Sequence, residues 1–189
     1  MIMTDKNIVI GILVTAMLAL AACGSANSAG KTETAAEAKT ETVVEMPNPW
    51  HETTDLEEAE KATGIDFEPP MENSLPEGYE FVTYRYTEDI LEADYQRGEE
   101  QLTIRVSTTL SGLELSGDYS EYSKQWEENF KGLVVQCNGD GTLSNLTYAD
   151  LENIHFAVEC NLGEEGKGLS EEELKSLFMG MQAVPLEAK

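Results

Sequence analysis

The spacing of apolar positions changes along this chain, and each change marks a different kind of segment. Ile8 to Leu20 is apolar except at Gly11 and Thr15. As a helix these 13 residues would reach roughly 20 Å, short of the ~30 Å hydrocarbon core of a bilayer. The run therefore reads as the h-region of a signal peptide and not as a permanent span. From Gly24 to Pro47 the chain is rich in Ser, Ala, Thr, Lys and Glu and has no apolar period before Val43-Val44, as expected of a solvated, disordered tether.

Beyond Asn48 the pattern is that of a folded domain. Asp55 to Thr63 predicts a short helix, with Leu56, Ala59 and Ala62 on one face, Thr54 and Glu57 as a capping box, and Gly64 as the stop. Period-two alternation then takes over. Tyr79 to Tyr86 is expected to set Val82, Tyr84 and Tyr86 against Tyr79 and Phe81, and Ile90 to Gln96 to set Leu91, Ala93 and Tyr95 against Glu92 and Asp94. Leu102, Ile104 and Val106 form a third strand, giving a meander with one wet face. Gln125 to Phe130 fits helix or strand on its own spacing, since Trp126 and Phe130 are four apart while Lys131-Gly132 suits a turn.

Leu133, Val135 and Cys137 share a face, Asn138-Gly139-Asp140-Gly141 predicts a hairpin, and Leu146 and Tyr148 are expected to continue that face on the return strand. Ile154, Phe156, Val158 and Cys160 add another strand. Ser170 and Glu173 predict a second capping box, opening a helix whose buried stripe is Leu174, Leu177, Phe178 and Met181 and which runs until Pro185. The expected fold class is α+β: an antiparallel sheet of six to seven strands with a short N-terminal helix and a C-terminal helix.

Charge narrows the choice of partners. The chain of 189 residues has 12 Lys+Arg and 36 Asp+Glu, a formal net charge of -24. Three of the basic and five of the acidic residues precede Asn48, which leaves 9 against 31 beyond it. No basic stripe can be built from so few, so nucleic acid is excluded as a partner.

Leu20-Ala21-Ala22-Cys23 resembles a bacterial lipobox. The resemblance implies cleavage before Cys23, acylation of its thiol, and stable attachment to the lipid bilayer at the outer face of the cytoplasmic membrane. The domain plan is then 1–22 lipoprotein signal peptide, 23–47 acylated Cys and tether, and 48–185 α+β domain.

A second resemblance covers Asn48 to Gln182 and rests on the order of short motifs. These are Asn48-Pro49-Trp50, Asp55-Leu56-Glu57-Glu58-Ala59-Glu60, Arg97-Gly98-Glu99-Glu100 leading into Leu102-Thr103-Ile104-Arg105, Leu115-Ser116-Gly117-Asp118-Tyr119, and Leu169-Ser170-Glu171-Glu172-Glu173-Leu174. In this order they resemble domain of unknown function 4367, frequent in lipoproteins and membrane-tethered proteins of Gram-positive anaerobes. The resemblance implies a secreted or tethered α+β domain, favours strand for Gln125 to Phe130, and implies no catalytic residues.

Candidate chemistry is sparse. With Cys23 acylated, Cys137 and Cys160 remain; the meander puts a whole strand between them, so two buried free thiols are expected and no disulfide. No zinc spacing occurs, and Asn138, Asp140 and Thr142 imitate a calcium loop but meet Leu143 where Gly is required, so neither metal nor cofactor is expected. No Gly-x-Ser-x-Gly occurs, and His51 and His155 are the only histidines. His155, out of phase with Ile154 and Phe156, is expected on the other face of the sheet. Asp118, Tyr119, Tyr122 and Trp126 make the best binding candidate, because aromatics on a Gly- and Asp-bearing loop suit recognition. The expected function is a non-catalytic, membrane-anchored extracytoplasmic binding module for a protein or envelope partner. The alternative is an extracytoplasmic sensor or regulatory accessory domain of a membrane complex.

Overall fold

The computed structural model describes residues 48–161 and 168–186. The signal peptide, Cys23 and the tether expected over residues 1–47 lie outside the described residues. In chain order the elements are β1 (His51–Thr53), α1 (Leu56–Thr63), β2 (Ile65–Glu68), β3 (Glu80–Tyr86), β4 (Leu91–Arg97), β5 (Glu100–Ser107) and α2 (Gly112–Ser116). They continue with β6 (Lys124–Phe130), β7 (Leu133–Gly139), β8 (Ser144–Leu151), β9 (Ile154–Asn161), α3 (Glu171–Gly180) and β10 (Gln182–Pro185). The fold is α+β, and among the described residues no helix is long and apolar enough to cross a membrane.

Eight antiparallel strands form the main sheet in the order β1-β3-β4-β5-β9-β8-β7-β6, and β2 pairs with β10 in a separate ribbon. The main sheet thus has one strand beyond the expected six to seven. That strand, β1, is three residues long and too short to show a period. Gln125 to Phe130 lies in an edge strand, β6. The register Leu102↔Cys160, Ile104↔Val158 and Val106↔Phe156 joins the meander β3-β4-β5 to the meander β6-β7-β8-β9. Their apolar alternation falls on one face, where Leu102, Ile104 and Val106 are fully buried. Helices α1 and α3 and the β2–β10 ribbon contribute Ala59, Leu174, Leu177, Phe178, Ile65, Phe67 and Ala183 to the same core.

The helix ends follow local chemistry. Ser170 and Glu173 form the full capping box at the start of α3. For α1 the cap is Asp55 and not Thr54: the Asp55 carboxylate accepts the Glu57 N–H at 3.0 Å while its own backbone is still extended. Gly64 ends α1 with φ 70, a left-handed conformation that suits glycine. Helix α3 stops at Gly180, before the expected Pro185. Gln182 to Pro185 becomes a strand because Ala183 and Val184 find partners in Phe67 and Asp66.

Two bulges overturn the expected facing of side chains. Between Phe81 and Thr83 the register shifts, so Phe81, paired with Tyr95, joins Tyr84 on the core face and leaves Val82 exposed. A second shift lies between Asn138 and Gly139, where a Cβ would collide with the Leu143 carbonyl. As a result Leu146 pairs with Asn138 and Tyr148 with Gln136, opposite to the face of Val135 and Cys137. The wet face is also more enclosed than expected, since Glu92, Asp94 and Ser107 are buried there.

Cys137 and Cys160 are free and buried. Cys137 pairs with Thr147 on β8, and Thr147 with Val158 on β9, so a strand separates the two thiols. Two strand spacings are about 10 Å, beyond the ~7 Å between Cα atoms that a disulfide tolerates. Burial pushes Cys137 up to about 11 and Cys160 up to about 12, so both remain thiols at neutral pH. A thiol titration of acylated, unreduced protein is expected to find two reactive groups per chain in denaturant and essentially none in the native state. Titration of none in denaturant would show a disulfide.

Candidate functional site

Strand alternation places Arg85, Glu92, Asp94, Arg105 and Glu159 on the face opposite the core. Glu92 is 0% exposed at the centre of this layer. Its Oε2 accepts from Arg105 Nε at 2.5 Å, and its Oε1 lies 3.0 Å from an Arg85 guanidinium nitrogen. Asp94 accepts from Thr103 Oγ1 at 2.7 Å and from Gln101 Nε2 at 3.1 Å. Glu159 completes the set, 3.8 Å from Arg105. Trp50 covers both arginines, with guanidinium carbons 4.7 Å (Arg85) and 5.7 Å (Arg105) from its ring centroid.

The loop after α2 closes the other side of this layer. Arg105 donates to the Ser116 carbonyl, and the Ser116 and Tyr148 hydroxyls are 3.2 Å apart. Asp118 accepts the Ser120 N–H at 2.8 Å and the Tyr122 hydroxyl. Burial tends to raise the Asp118 carboxyl, but these bonds outweigh it and hold the group below its usual range. Burial and the Asp118 carboxylate together push Tyr122 upward.

The four predicted binding residues are not brought together. Asp118 and Tyr122 bond to each other over the polar layer, and Tyr119, 72% exposed, reaches into solvent. Trp126 is half-buried on the core face, where its Nε1 donates to Glu128 at 2.9 Å. Its spacing from Tyr122 suits one face of a helix, but Trp126 lies in a strand whose register puts it opposite Cys137. His155 is on the face opposite the core, 2.7 Å from Asp150. Asp140 accepts backbone N–H groups from Thr142 at 2.7 Å and Leu143 at 2.8 Å, the bonding of a tight hairpin turn. Among the described residues no group of three or more His, Cys, Asp or Glu could hold a metal ion.

Sequence reasoning missed an aromatic cleft of about 430 Å³ at the corner made by Pro69-Pro70 and the start of β3. Tyr79, Phe81, Tyr84 and Tyr95 line it, together with Glu72 and Glu80. The bulge that turns Phe81 toward Tyr84 and Tyr95 creates it, with ring centroids 4.5 Å and 5.9 Å apart. The visible signal was the density of aromatics from Tyr79 to Tyr95, but regular alternation divides them between two faces.

The polar layer generates an asymmetric prediction. Burial, partly offset by Arg105 and Arg85, raises the Glu92 carboxyl above its ordinary 4.5. Arg105→Ala strands this buried charge and is expected to cost about 3–5 kcal/mol in denaturant unfolding. Glu92→Gln resembles the protonated acid and should cost clearly less. Because the folded state of Glu92 holds its proton to higher pH than the unfolded state, this contribution to stability is full below 4.5 and is lost as pH rises through the folded value. Asp118 and Asp140, both lowered from 3.8, act in the opposite sense and lose their contribution only below that pH. Melting temperature is therefore expected to rise as pH falls from neutrality toward 4.5, with a shallower slope in Glu92→Gln.

No family model, curated protein or solved structure matches this chain.

Proposed function

We propose that this chain is a lipoprotein, held by acylated Cys23 on the outer face of the cytoplasmic membrane, and that its domain is a non-catalytic binding module. The lipobox-like Leu20-Ala21-Ala22-Cys23 and the ordered motifs similar to domain of unknown function 4367 support the address. The observation that carries the binding reading is the contrast between the molecule's two groups of special residues. Its buried charges are ion-paired with each other under Trp50, whereas at the aromatic cleft Phe81 stands 42% exposed over the buried Tyr84 and Tyr95.

Trp50 favours one second reading, the sensor or regulatory accessory domain. It stands three residues beyond the expected tether and packs on Arg85, so a partner acting on the tether would act directly on the polar layer.

Cys23→Ala is expected to lose palmitate labelling and to move the protein from the membrane to the soluble fraction of cells. Retention in the membrane without label would overturn the anchor. Cross-linking in intact cells then separates the readings: one stoichiometric membrane protein favours regulation, and envelope material favours the binding module.

A further inference from the structure

Building on the binding-module reading, we infer that the aromatic cleft takes a small soluble quaternary ammonium cation that carries no anionic group of its own. Three features of the cleft lead to this ligand class.

The first is the wall. Phe81 is 42% exposed, and its ring meets those of Tyr84 and Tyr95 at the cleft. Tyr84 and Tyr95, 8% and 3% exposed, back this ring and bring only a small part of their own surface to the cleft. The buried Tyr79 hydroxyl is without a hydrogen-bond partner among the described residues. Burial keeps all three tyrosines protonated at physiological pH, so they offer neutral rings and oxygen lone pairs and not phenolates. Phe81 presents the open ring of this wall, and an aromatic ring attracts a cation through its negative face.

The second is the sign of the charge. Glu72 and Glu80 are the charged side chains that line the cleft, and both are exposed at its rim. Arg97 lies over the Tyr79 ring at 4.4 Å but is ion-paired with Glu100 at 2.6 Å. The rim therefore attracts positive ligands and repels phosphate or carboxylate. This argues against phosphocholine headgroups and betaines and for a free ammonium solute.

The third is that the side-chain acceptors of the inner wall are neutral phenol oxygens, the carboxylates being confined to the exposed rim. A primary ammonium has three N–H donors, all of which need partners once water is removed, and a mostly apolar wall leaves them unsatisfied. A quaternary ammonium has no such donors and spreads its charge over methyl groups that pack on the rings. A cleft of about 430 Å³ is in the range of small-ligand sites.

The test uses the full chain in maltoside micelles, which carry no ammonium group. Choline, tetramethylammonium, phosphocholine and 3,3-dimethylbutanol, the uncharged isostere of choline, are titrated by calorimetry. Choline and tetramethylammonium are expected to bind saturably, with the isostere about tenfold weaker and phosphocholine weaker than choline. Phe81→Leu, at an exposed position, should lower choline affinity about tenfold without changing the melting temperature. The pair Glu72→Gln/Glu80→Gln should weaken choline binding and leave the isostere unaffected. Equal binding of choline and the isostere, tighter binding of phosphocholine, or no saturable binding of choline would each overturn the inference. So would full affinity in Phe81→Leu. None of these outcomes alters the Cys23 or cross-linking results, so failure of the ligand class is distinguishable from failure of the binding-module reading.

Discussion

The pairing of β5 with β9 is the constraint on which the rest of the structure depends. Each strand comes from a different meander, and the register between them decides what both faces of the sheet contain. On one face it sets Leu102, Ile104 and Val106 beside Cys160, Val158 and Phe156, a contiguous apolar surface for α3 and the β2–β10 ribbon. On the other it brings Arg105 of β5 within reach of Glu159 of β9 and, through β4, of Glu92. A shift of one residue would exchange the two sets and bury the charges against Phe178.

The charged layer is costly to build and informative for that reason. A carboxylate with no solvent exposure is tolerated because two guanidinium groups and the indole of Trp50 enclose it. The loop from Ser116 to Tyr122 belongs to the same enclosure. Its Asp118 and Tyr122 are fastened to each other, and Ser116 ties Arg105 to Tyr148. Two residues of what looks like a recognition motif in isolation, Asp118 and Tyr122, therefore fasten a loop beside buried charge. The aromatic cleft at the other end of β3 shows the reverse: Phe81, turned by the Phe81–Thr83 bulge onto the face of Tyr84 and Tyr95, remains 42% exposed there.

Features set by neighbours along the chain were legible. The alternation in β5 and β9, the Ser170–Glu173 capping box, the Gly64 stop and the Asp140 turn each depend on a few consecutive residues, and each occurs where its local chemistry points. The position of His155 followed from phase alone. Less legible were elements whose partner is remote. Strand β1 has three residues and exists only because Tyr84 to Tyr86 offers it an edge, and β10 replaces the end of a helix because β2 is waiting 114 residues earlier, as in the pair Gln182↔Glu68.

By itself the sequence determined the α+β class, the strongly acidic surface and the placing of apolar residues for one core, because composition and period act locally and additively. Only the tertiary structure decided which polar residues are enclosed and which aromatics are open. Bulges reverse the face of every residue beyond them on a strand, and burial depends on what crosses above, as Trp50 does over Arg85 and Arg105. The physical reason is that a side chain's period is written in its own segment, whereas its solvent exposure belongs to segments far away in the chain.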